Sequence, residues 1–224
     1  MSFSYFEENL GSSFPKVETA DENGILAIGG DLSPDRLLEA YQQGIFPWYN
    51  EDEPIIWWSP DPRFVIFPAE IKISSSMKKI LSREIFRITY DQAFAEVIKF
   101  CGQPRKEEEG TWLTAEMLEA YLKLFELGYA HSVEAWQGDQ LVGGLYGVSL
   151  GSCFFGESMF HKVPNASKAA FISFGEKLAA NNFRIIDCQV YSDHLKSLGA
   201  REIPRKEFMK ILNQGLSEKN KMWS

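Results

Sequence analysis

The sequence contains few cysteines, and none is placed to form a metal site or a disulfide framework. Its 224 residues include only Cys101, Cys153 and Cys188, which form no C-x-x-C pair and lie within apolar stretches. Free cysteines in such surroundings usually pack as small hydrophobic residues. We therefore predict neither a zinc site nor disulfide bonds.

Targeting segments and an excess of positive charge are also missing. The first ten residues, MSFSYFEENL, carry acidic side chains where a signal peptide would be basic. No apolar run approaches the roughly 18 residues that a membrane-spanning helix needs. The net charge of −8 argues against indiscriminate binding to nucleic acid. These absences predict a cytoplasmic protein that has no membrane partner.

Local basic character is confined to short segments such as SSSMKKILSRE, which carries Lys78, Lys79 and Arg83. Such a cluster could contact the phosphates of an RNA. An ordinary solvated surface of mixed charge is the simpler interpretation.

The order of predicted elements indicates an α+β protein with two domains. In residues 1–70, Gly, Pro and Trp are frequent, and one helix is marked by Ser33 as N-cap, Pro34 at its first position and Gly44 beyond its end. In residues 71–224 the pattern predicts two helices followed by three antiparallel strands. The second helix is capped by Thr114 and stopped by Gly128. A helix after Pro164, the buried strand RIIDCQVY and two short helices complete the chain.

Glu157 is the most unusual residue of the predicted meander, because it lies in FFGESMF among three phenylalanines and a methionine with no cation in that stretch. Burying an unpaired carboxylate costs several kcal/mol or makes it take up a proton. Glu157 must therefore reach water, or a positively charged group must come to it.

Asp187 and Gln189 lie two residues apart in RIIDCQV, so strand alternation places both on one face. A structural pair that holds a neighbouring loop is the simplest interpretation of an isolated Asp near the end of a strand. Alternation also places Glu157 and Met159 on one face of the neighbouring strand. Two adjacent polar positions in an apolar sheet favour the floor of a cleft.

Apolar and aromatic side chains could complete such a cleft. Phe171, Phe174 and Leu178 form a stripe on the helix after Pro164, which is typical of core packing and could also line a pocket. Trp48 and Trp112 lie in a loop and at a helix entry, where they could stack on a nucleobase or another ring.

Several catalytic arrangements have no support in the sequence. The order of elements matches the GNAT-like acyltransferase fold, in which a CoA-dependent enzyme normally has a glycine-rich turn for the pyrophosphate at the start of the helix after the meander. Here that segment, FHKVPNASKAA, has no glycine. His131, His161 and His194 are scattered, and no Ser/His/Asp or metal-ligand spacing connects them. A CoA-dependent mechanism is disfavoured, and no metal site is predicted.

Long and specific motifs carry a resemblance that covers residues 23–205. They are NGILAIGGDLSPDRLLEAYQQGIFPWY, PIIWWSPDPR, EEGTWLTAEMLEAYLKLFELGYAHSVEAW, LVGGLYGV, FFGESMF, NASKAA and IIDCQVYSDHLKSLGAREIPR. Together they resemble the bacterial leucyl/phenylalanyl-tRNA-protein transferase family.

The resemblance implies a small N-terminal α/β domain, followed by a GNAT-like acyltransferase domain with a central, mostly antiparallel sheet. It implies transfer of Leu, Phe or Met from aminoacyl-tRNA to the N-terminal Arg or Lys of a protein, which makes that protein a substrate of N-degron degradation. Because the donor is an activated ester, no cofactor, ATP or metal is needed. We expect a monomer.

The resemblance also assigns roles to individual positions. Asp187 and Gln189 would polarise the attacking amine, and Glu157 would face the basic N-terminal residue. Trp48 and Trp112 would hold the terminal adenosine of the tRNA, and Lys78, Lys79 and Arg83 would contact its backbone. The side chains expected to shape the amino-acid pocket are Leu145, Phe154, Met159, Phe171, Phe174 and Leu178.

Three features limit these assignments. Leu145 and Ser192 stand where the family commonly has Met and Asn. Leu145 would alter the side-chain preference slightly, and the shorter Ser192 side chain would reach less far to make a supporting hydrogen bond at the aminoacyl-tRNA site. Phe154 would share the cleft with Glu157 and Met159 only if a bulge or twist interrupted the strand.

Two other functions remain compatible with the residues alone. One is a CoA-dependent N-acetyltransferase of the same fold. The other is a non-catalytic module that recognises basic N-termini or tRNA ends.

Overall fold

A computed structural model describes residues 13–103, 113–219 and 222–223, together with the backbone of residues 4–6. The helices within these ranges are α1 (Pro34–Gln42), α2 (Ser75–Ser82), α3 (Phe94–Cys101), α4 (Ala115–Glu126), α5 (Ala166–Ala180), α6 (Asp193–Ser197) and α7 (Arg205–Leu216). The strands are β1 (Ser4–Phe6), β2 (Ile25–Gly29), β3 (Phe46–Pro47), β4 (Ile56–Trp58), β5 (Arg63–Ile66), β6 (Arg87–Tyr90), β7 (Ala130–Gln137), β8 (Gln140–Leu150), β9 (Cys153–His161), β10 (Ile185–Gln189) and β11 (Arg201–Ile203).

The strands form two sheets. The smaller has the order β1-β2-β4-β3, and the larger has the order β11-β5-β10-β9-β8-β7-β6. In the larger sheet the β9–β10 pair is parallel, and the other neighbouring pairs are antiparallel. The predicted α+β class with a mostly antiparallel sheet is confirmed. Strand β5 belongs to this larger sheet, although it precedes the boundary expected near residue 70.

Helix ends follow the local signals in the sequence. Helix α1 begins at Pro34 directly after Ser33, and Gly44 beyond its end has a φ of 72°. The Thr114 hydroxyl accepts a hydrogen bond from the Met117 backbone N–H at 3.2 Å at the start of α4. Gly128 follows α4 with a φ of 78°, a conformation that glycine adopts without steric cost.

Three short elements were not predicted, and one helix is longer than expected. Strands β6 and β11 contain four and three residues and form the two edges of the larger sheet, where pairing with a neighbour defines them. Helix α2 is capped by Ser74 and has a short apolar face, in which Met77 is buried and Ile80 and Leu81 are partly buried. Helix α7 has 12 residues instead of forming a short closing helix.

Apolar side chains cover the larger sheet on both sides. We call one side the α4 face; it carries Tyr146 and Phe155 and packs against α1, α3, α4 and α7. We call the other side the α5 face; it carries Leu145 and Phe154 and packs against α2 and α5. Trp57 of the smaller sheet belongs to the same cluster as the α4 face, so the two sheets share one core.

Candidate active site

A bulge in β9 places Glu157 on the α4 face. Tyr146 pairs with Ser158 and Gly147 pairs with Gly156, so Glu157 is an extra residue with no partner in β8. As a result Met159 packs with the α5 face, whereas Glu157 points to tyrosines of the opposite face. The expectation that Glu157 and Met159 share a face is wrong, because the bulge interrupts the alternation.

Gly147 explains why the bulge forms at this position. A Cβ atom on Gly147 would lie 2.1 Å from the Phe155 carbonyl oxygen and 2.6 Å from the Phe154 ring. Only glycine allows the two strands to approach this closely. The bulge also lets Phe154 and Met159 lie on the same face, although they are five positions apart.

The half-buried carboxylate of Glu157 is held by two phenols and one amide. Tyr41 and Tyr121 each donate a hydrogen bond to it at 2.8 Å, and the Gln189 side-chain amide donates one at 2.9 Å. The two phenol oxygens are themselves 2.6 Å apart. Among the described side chains that bond to Glu157, none is a cation.

Counting protons shows that this arrangement favours a protonated carboxyl in the free chain. Tyr41, Tyr121 and Glu157 form three short oxygen–oxygen contacts, but the two phenols supply only two protons. A proton on Glu157 would supply the third hydrogen bond: the carboxyl would donate to one phenol, that phenol to the other, and the second phenol back to Glu157. Desolvation by burial raises the pKa of Glu157 to about 7, against the lowering effect of the three donors. The Tyr41 and Tyr121 pKa values are raised well above 10 by burial and by Glu157, so both phenols remain donors.

Removing one phenol should change the charge state of Glu157. We expect Tyr121→Phe to raise the pKa of Glu157 above the value near 7, because the ionised carboxylate loses a donor that stabilises it. Titration of the Glu157 side-chain carbon by NMR measures this. Tyr146→Phe is the matched control, because the buried Tyr146 hydroxyl has no hydrogen-bond partner among the described residues. If the pKa of Glu157 in Tyr121→Phe equals or lies below its pKa in the control, Tyr121 does not stabilise the ionised carboxylate as the structure indicates.

Asp187 is fully buried and forms a two-point ion pair with Arg63. Arg63 Nε lies 2.8 Å from Asp187 Oδ1, and Nη2 lies 2.6 Å from Oδ2. Arg63 is 1% exposed and Asp187 is 0% exposed. The carboxylate therefore has no contact with solvent, and any effect it has on a substrate must pass through a neighbour.

Gln189 connects the two carboxylates. Its backbone N–H donates to Asp187 Oδ1 at 2.9 Å, and its side-chain Nε2 donates to Glu157 Oε1 at 2.9 Å. The β10 ladder shifts register between residues 187 and 189, and Gln189 has a φ of 64°. The predicted proximity of Asp187, Gln189 and Glu157 is thus present, although a bulge creates it instead of regular alternation.

The sheet opens beside this network. Pairing between β9 and β10 covers Cys153 to Phe155 on β9 and ends at Asp187 on β10, whereas β9 continues to His161. A Cβ atom on Gly156 would meet only the Asp187 carbonyl oxygen, at 3.6 Å. We call this space the β9–β10 opening. It lies between the two faces of the sheet, next to Gln189.

The six side chains expected in the amino-acid pocket form one cluster on the α5 face. Five of them are 4% exposed or less, and Met159 is partly buried at the edge of the cluster. Phe154 and Phe174 pack edge to face with ring centroids 4.6 Å apart. A cavity of about 300 Å³ beside α2 and another of about 580 Å³ at the end of α5 are lined by other residues. The cluster is therefore packed closed in this structure.

The remaining predicted residues lie on the surface or outside the described ranges. Trp48 is 43% exposed and its ring packs 5.6 Å from that of Trp58, so its face is accessible for stacking. Lys78, Lys79 and Arg83 are exposed on or directly after α2. Ser192 precedes α6 without a side-chain capping bond. Trp112 lies outside the described residues.

Sequence reasoning missed Tyr41, Tyr121 and Arg63. The two tyrosines end the same tetrapeptide, LEAY, at residues 38–41 and 118–121. A buried phenol needs a hydrogen-bond partner, so two such tyrosines at equivalent helix positions were a usable signal. No sequence signal pointed to Arg63, because an arginine among prolines is typical of a surface turn.

Comparison with known proteins identifies the family. The sequence model described as leucyl/phenylalanyl-tRNA protein transferase matches residues 65–213, and the model of its N-terminal domain matches residues 30–61. The leucyl/phenylalanyl-tRNA--protein transferase of Flavobacterium johnsoniae is 58% identical over 89% of this chain and 94% of its own length. The protein of the same name from Syntrophus aciditrophicus is 58% identical over 91% of this chain and 85% of its own length.

A solved structure, L-PGS from Bacillus licheniformis, aligns with a TM-score of 0.43 and 9% identity over 86% of this chain and 73% of that one. That likeness is too weak to support a conclusion. The sequence matches cover most of both chains at high identity, and they include the segments that form the Glu157 and Gln189 network. The chain therefore belongs to the leucyl/phenylalanyl-tRNA-protein transferase family.

Proposed function

We propose that the β9–β10 opening, with Glu157 and Gln189 at its side, is where this transferase joins its two substrates. The chain is an aminoacyltransferase that moves Leu or Phe from aminoacyl-tRNA to the N-terminal Arg or Lys of a protein, and the product is consistent with N-degron degradation. The proposal concerns which residues perform each part of this reaction. The observation that supports it most is that two phenols and one amide, and no cation among the described residues, hold the Glu157 carboxyl.

Glu157 receives the side-chain cation of the acceptor. Two phenols and one amide hold the carboxyl in place, but among the described residues no cation neutralises it. When an N-terminal Arg or Lys approaches, Glu157 releases its proton and forms a charge-assisted pair with the cation. An acceptor with a neutral N-terminal side chain would leave the carboxyl protonated and would gain no such pair. The preference for basic N-termini follows from this difference.

Gln189 orients the attacking amine. Its Nε2 is bonded to Glu157, and its side-chain carbonyl oxygen has no hydrogen bond with any residue that the structure describes. That oxygen can accept a hydrogen bond from an N–H of the neutral α-amino group and so direct the nitrogen lone pair at the ester carbonyl. The amine proton finally passes to the ribose oxygen that leaves. Asp187 does not touch the substrate; it positions Gln189 by accepting its backbone N–H.

The amino-acid side chain of the donor enters the α5 face. The ester carbonyl of the donor lies at the β9–β10 opening. The donor's side chain then lies towards the α5 face, and its α-amino group lies towards the α4 face. Met159, which is partly buried at the edge of the cluster, is the flexible residue that moves to admit the side chain. A pocket of Phe, Leu and Met side chains accepts Leu, Phe and Met and crowds β-branched Ile and Val.

The tRNA contacts follow from exposed aromatic and basic side chains. Trp48 stacks on the terminal adenosine, and Trp112 is proposed to share this role. Lys78, Lys79 and Arg83 contact backbone phosphates, which makes affinity fall with salt despite the net charge of −8. Ser192 supports the aminoacyl end. Since one chain supplies every residue of the proposed site, we propose that the protein acts as a monomer. We also propose that it acts in the cytoplasm.

The fold follows the GNAT-like plan in this proposal, but a CoA donor is disfavoured. The start of α5 is the position at which a pyrophosphate would bind. Ala166 is 0% exposed and Ser167 is 4% exposed. A Cβ atom on Gly143 would lie 2.6 Å from the Cβ of Ala166, so the helix start packs tightly on β8. The segment before α5 contains no glycine, so the turn whose amides would cradle a pyrophosphate is not formed by glycines as in CoA-dependent enzymes of this fold.

A transfer assay tests the proposed function directly. Purified protein is mixed with radiolabelled Leu-tRNA and a peptide that begins with Arg, and we expect labelled peptide without ATP or CoA. Val-tRNA and Ile-tRNA should react about 10- to 200-fold less efficiently, the range expected when one methyl group is misplaced in an apolar pocket. Binding of both substrates without transfer would support the non-catalytic module instead.

A further inference from the structure

Arg63 is the buried cation next to the proposed centre. Its side chain bonds both oxygens of Asp187, at 2.8 and 2.6 Å, and it is 1% exposed. An arginine that binds a carboxylate at two points fixes the plane of that carboxylate, which a single-point cation cannot do. Asp187 therefore has one defined orientation.

Three separate parts of the chain, β3, α7 and β10, fix the orientation of the Arg63 guanidinium. Its central carbon lies 4.7 Å from the ring centre of Phe46 in β3 and 4.7 Å from that of Phe208 in α7. Arg63 itself lies in β5. Its Nη1 is buried without a hydrogen-bond partner among the described residues. Arg63 is thus held by packing between two rings and by the ion pair with Asp187. Neutralising the charge of Asp187 would not require this fixed orientation.

The fixed carboxylate in turn holds an unfavourable backbone conformation. Asp187 Oδ1 accepts both Arg63 Nε, at 2.8 Å, and the Gln189 N–H, at 2.9 Å. Gln189 has a φ of 64°, a left-handed conformation that residues other than glycine rarely adopt. This conformation is the one in which the Gln189 amide lies 2.9 Å from Glu157.

We propose that Arg63 is a positioning residue for the transfer reaction, which orients Asp187 so that the Gln189 amide stays at the β9–β10 opening. The inference rests on the proposed function, since Gln189 is assigned there to the acceptor amine. In this inference Asp187 contributes by holding its carboxylate in one orientation. Arg63 is then required for turnover, although it touches neither substrate.

The decisive variant is Arg63→Met with Asp187→Asn. It removes both buried charges together, which proteins tolerate far better than loss of one partner, and the introduced asparagine side chain keeps an oxygen for the Gln189 N–H. Melting temperature, affinity for Leu-tRNA, kcat and the KM for an Arg peptide are measured. We expect a melting temperature within a few degrees of the original protein, unchanged tRNA affinity, and a kcat about 10- to 100-fold lower, as expected when a reacting group is misplaced.

Two further variants make the outcome unambiguous. Arg63→Lys keeps the charge but offers only one donor point, so its kcat should lie between those of the original protein and the double variant. Arg201→Met is the matched control, because Arg201 also pairs with a carboxylate, Glu70, and packs on a ring, Phe67, but at a half-exposed position. Its kcat should be unchanged.

A double variant with kcat within about twofold of the original protein would overturn the inference, since Arg63 would then only neutralise Asp187. If the double variant does not fold, unchanged kcat in Arg63→Lys would overturn it equally. Absence of transfer by the original protein, or full activity after loss of the Gln189 side chain, would instead overturn the proposed function on which the inference rests.

Discussion

Replacement of Glu157 by glutamine is expected to reduce transfer to a peptide beginning with Arg by roughly two to three orders of magnitude at neutral pH. The variant keeps the size of the side chain but removes the charge that pairs with the acceptor cation. Loss of one partner of a desolvated charge pair costs about 2–5 kcal/mol. The loss should appear in kcat/KM for the acceptor, while affinity for Leu-tRNA stays unchanged, because the role proposed for Glu157 concerns the acceptor only.

The pH profile separates this role from a structural one. Protonation removes the charge of Glu157, so kcat/KM for basic acceptors should be low at acidic pH and rise as pH increases through about 7. The α-amino group adds a second rise near its own pKa of about 7.7–8.0. In Glu157→Gln only the second rise should remain. Glu176→Gln, a carboxylate on α5 outside the network, is the control and should keep both. Equal losses for tRNA binding and acceptor transfer would contradict the assignment of Glu157.

Replacement of Gln189 by glycine is expected to lower kcat about 10²–10⁴-fold, the usual range for loss of a group that assists proton movement or charge stabilisation. Glycine adopts the φ of 64° at this position without steric cost, so the folded structure tolerates the change. The melting temperature should therefore change little while turnover collapses.

Val190→Ala is a suitable control for that experiment, because Val190 is the next residue along the chain and is 40% exposed. Its turnover should equal that of the original protein. Kinetics at saturating Leu-tRNA, with a peptide beginning with Arg, give kcat and KM separately. A Gln189→Gly variant with normal kcat and raised KM would mean that Gln189 only binds the acceptor and does not orient its amine.

Local signals were sufficient to predict helices α1, α3, α4 and α5 and the central meander. Ser33, Pro34 and Gly44 mark α1 because capping and the left-handed conformation beyond a helix end depend on residues within a few positions. The tight turns at Gly138 and Gly151, with φ of 59° and 57°, likewise separate β7, β8 and β9 where the sequence indicates.

The faces of β9 were predicted incorrectly because a bulge depends on cross-strand packing. Gly147 of β8 admits the extra residue Glu157 in β9, and no periodicity within FFGESMF reveals this. Arg63 and Asp187 are 124 residues apart, and Tyr41 and Tyr121 are 80 apart. Pairings over such separations are set by the fold. The resemblance to a family assigned roles to Glu157, Asp187 and Gln189, which the structure places close together, but it did not show that Asp187 is buried against Arg63.

The most direct test of the proposed centre is a crystal structure of the protein with an adenosine that carries leucine through a stable amide in place of the ester. We expect the leucine side chain among Leu145, Phe154 and Phe174, with Met159 displaced, the adenine against Trp48, and the carbonyl carbon at the β9–β10 opening within reach of Gln189. A compound bound elsewhere, with the cluster on the α5 face still closed and the opening empty, would contradict the assignment.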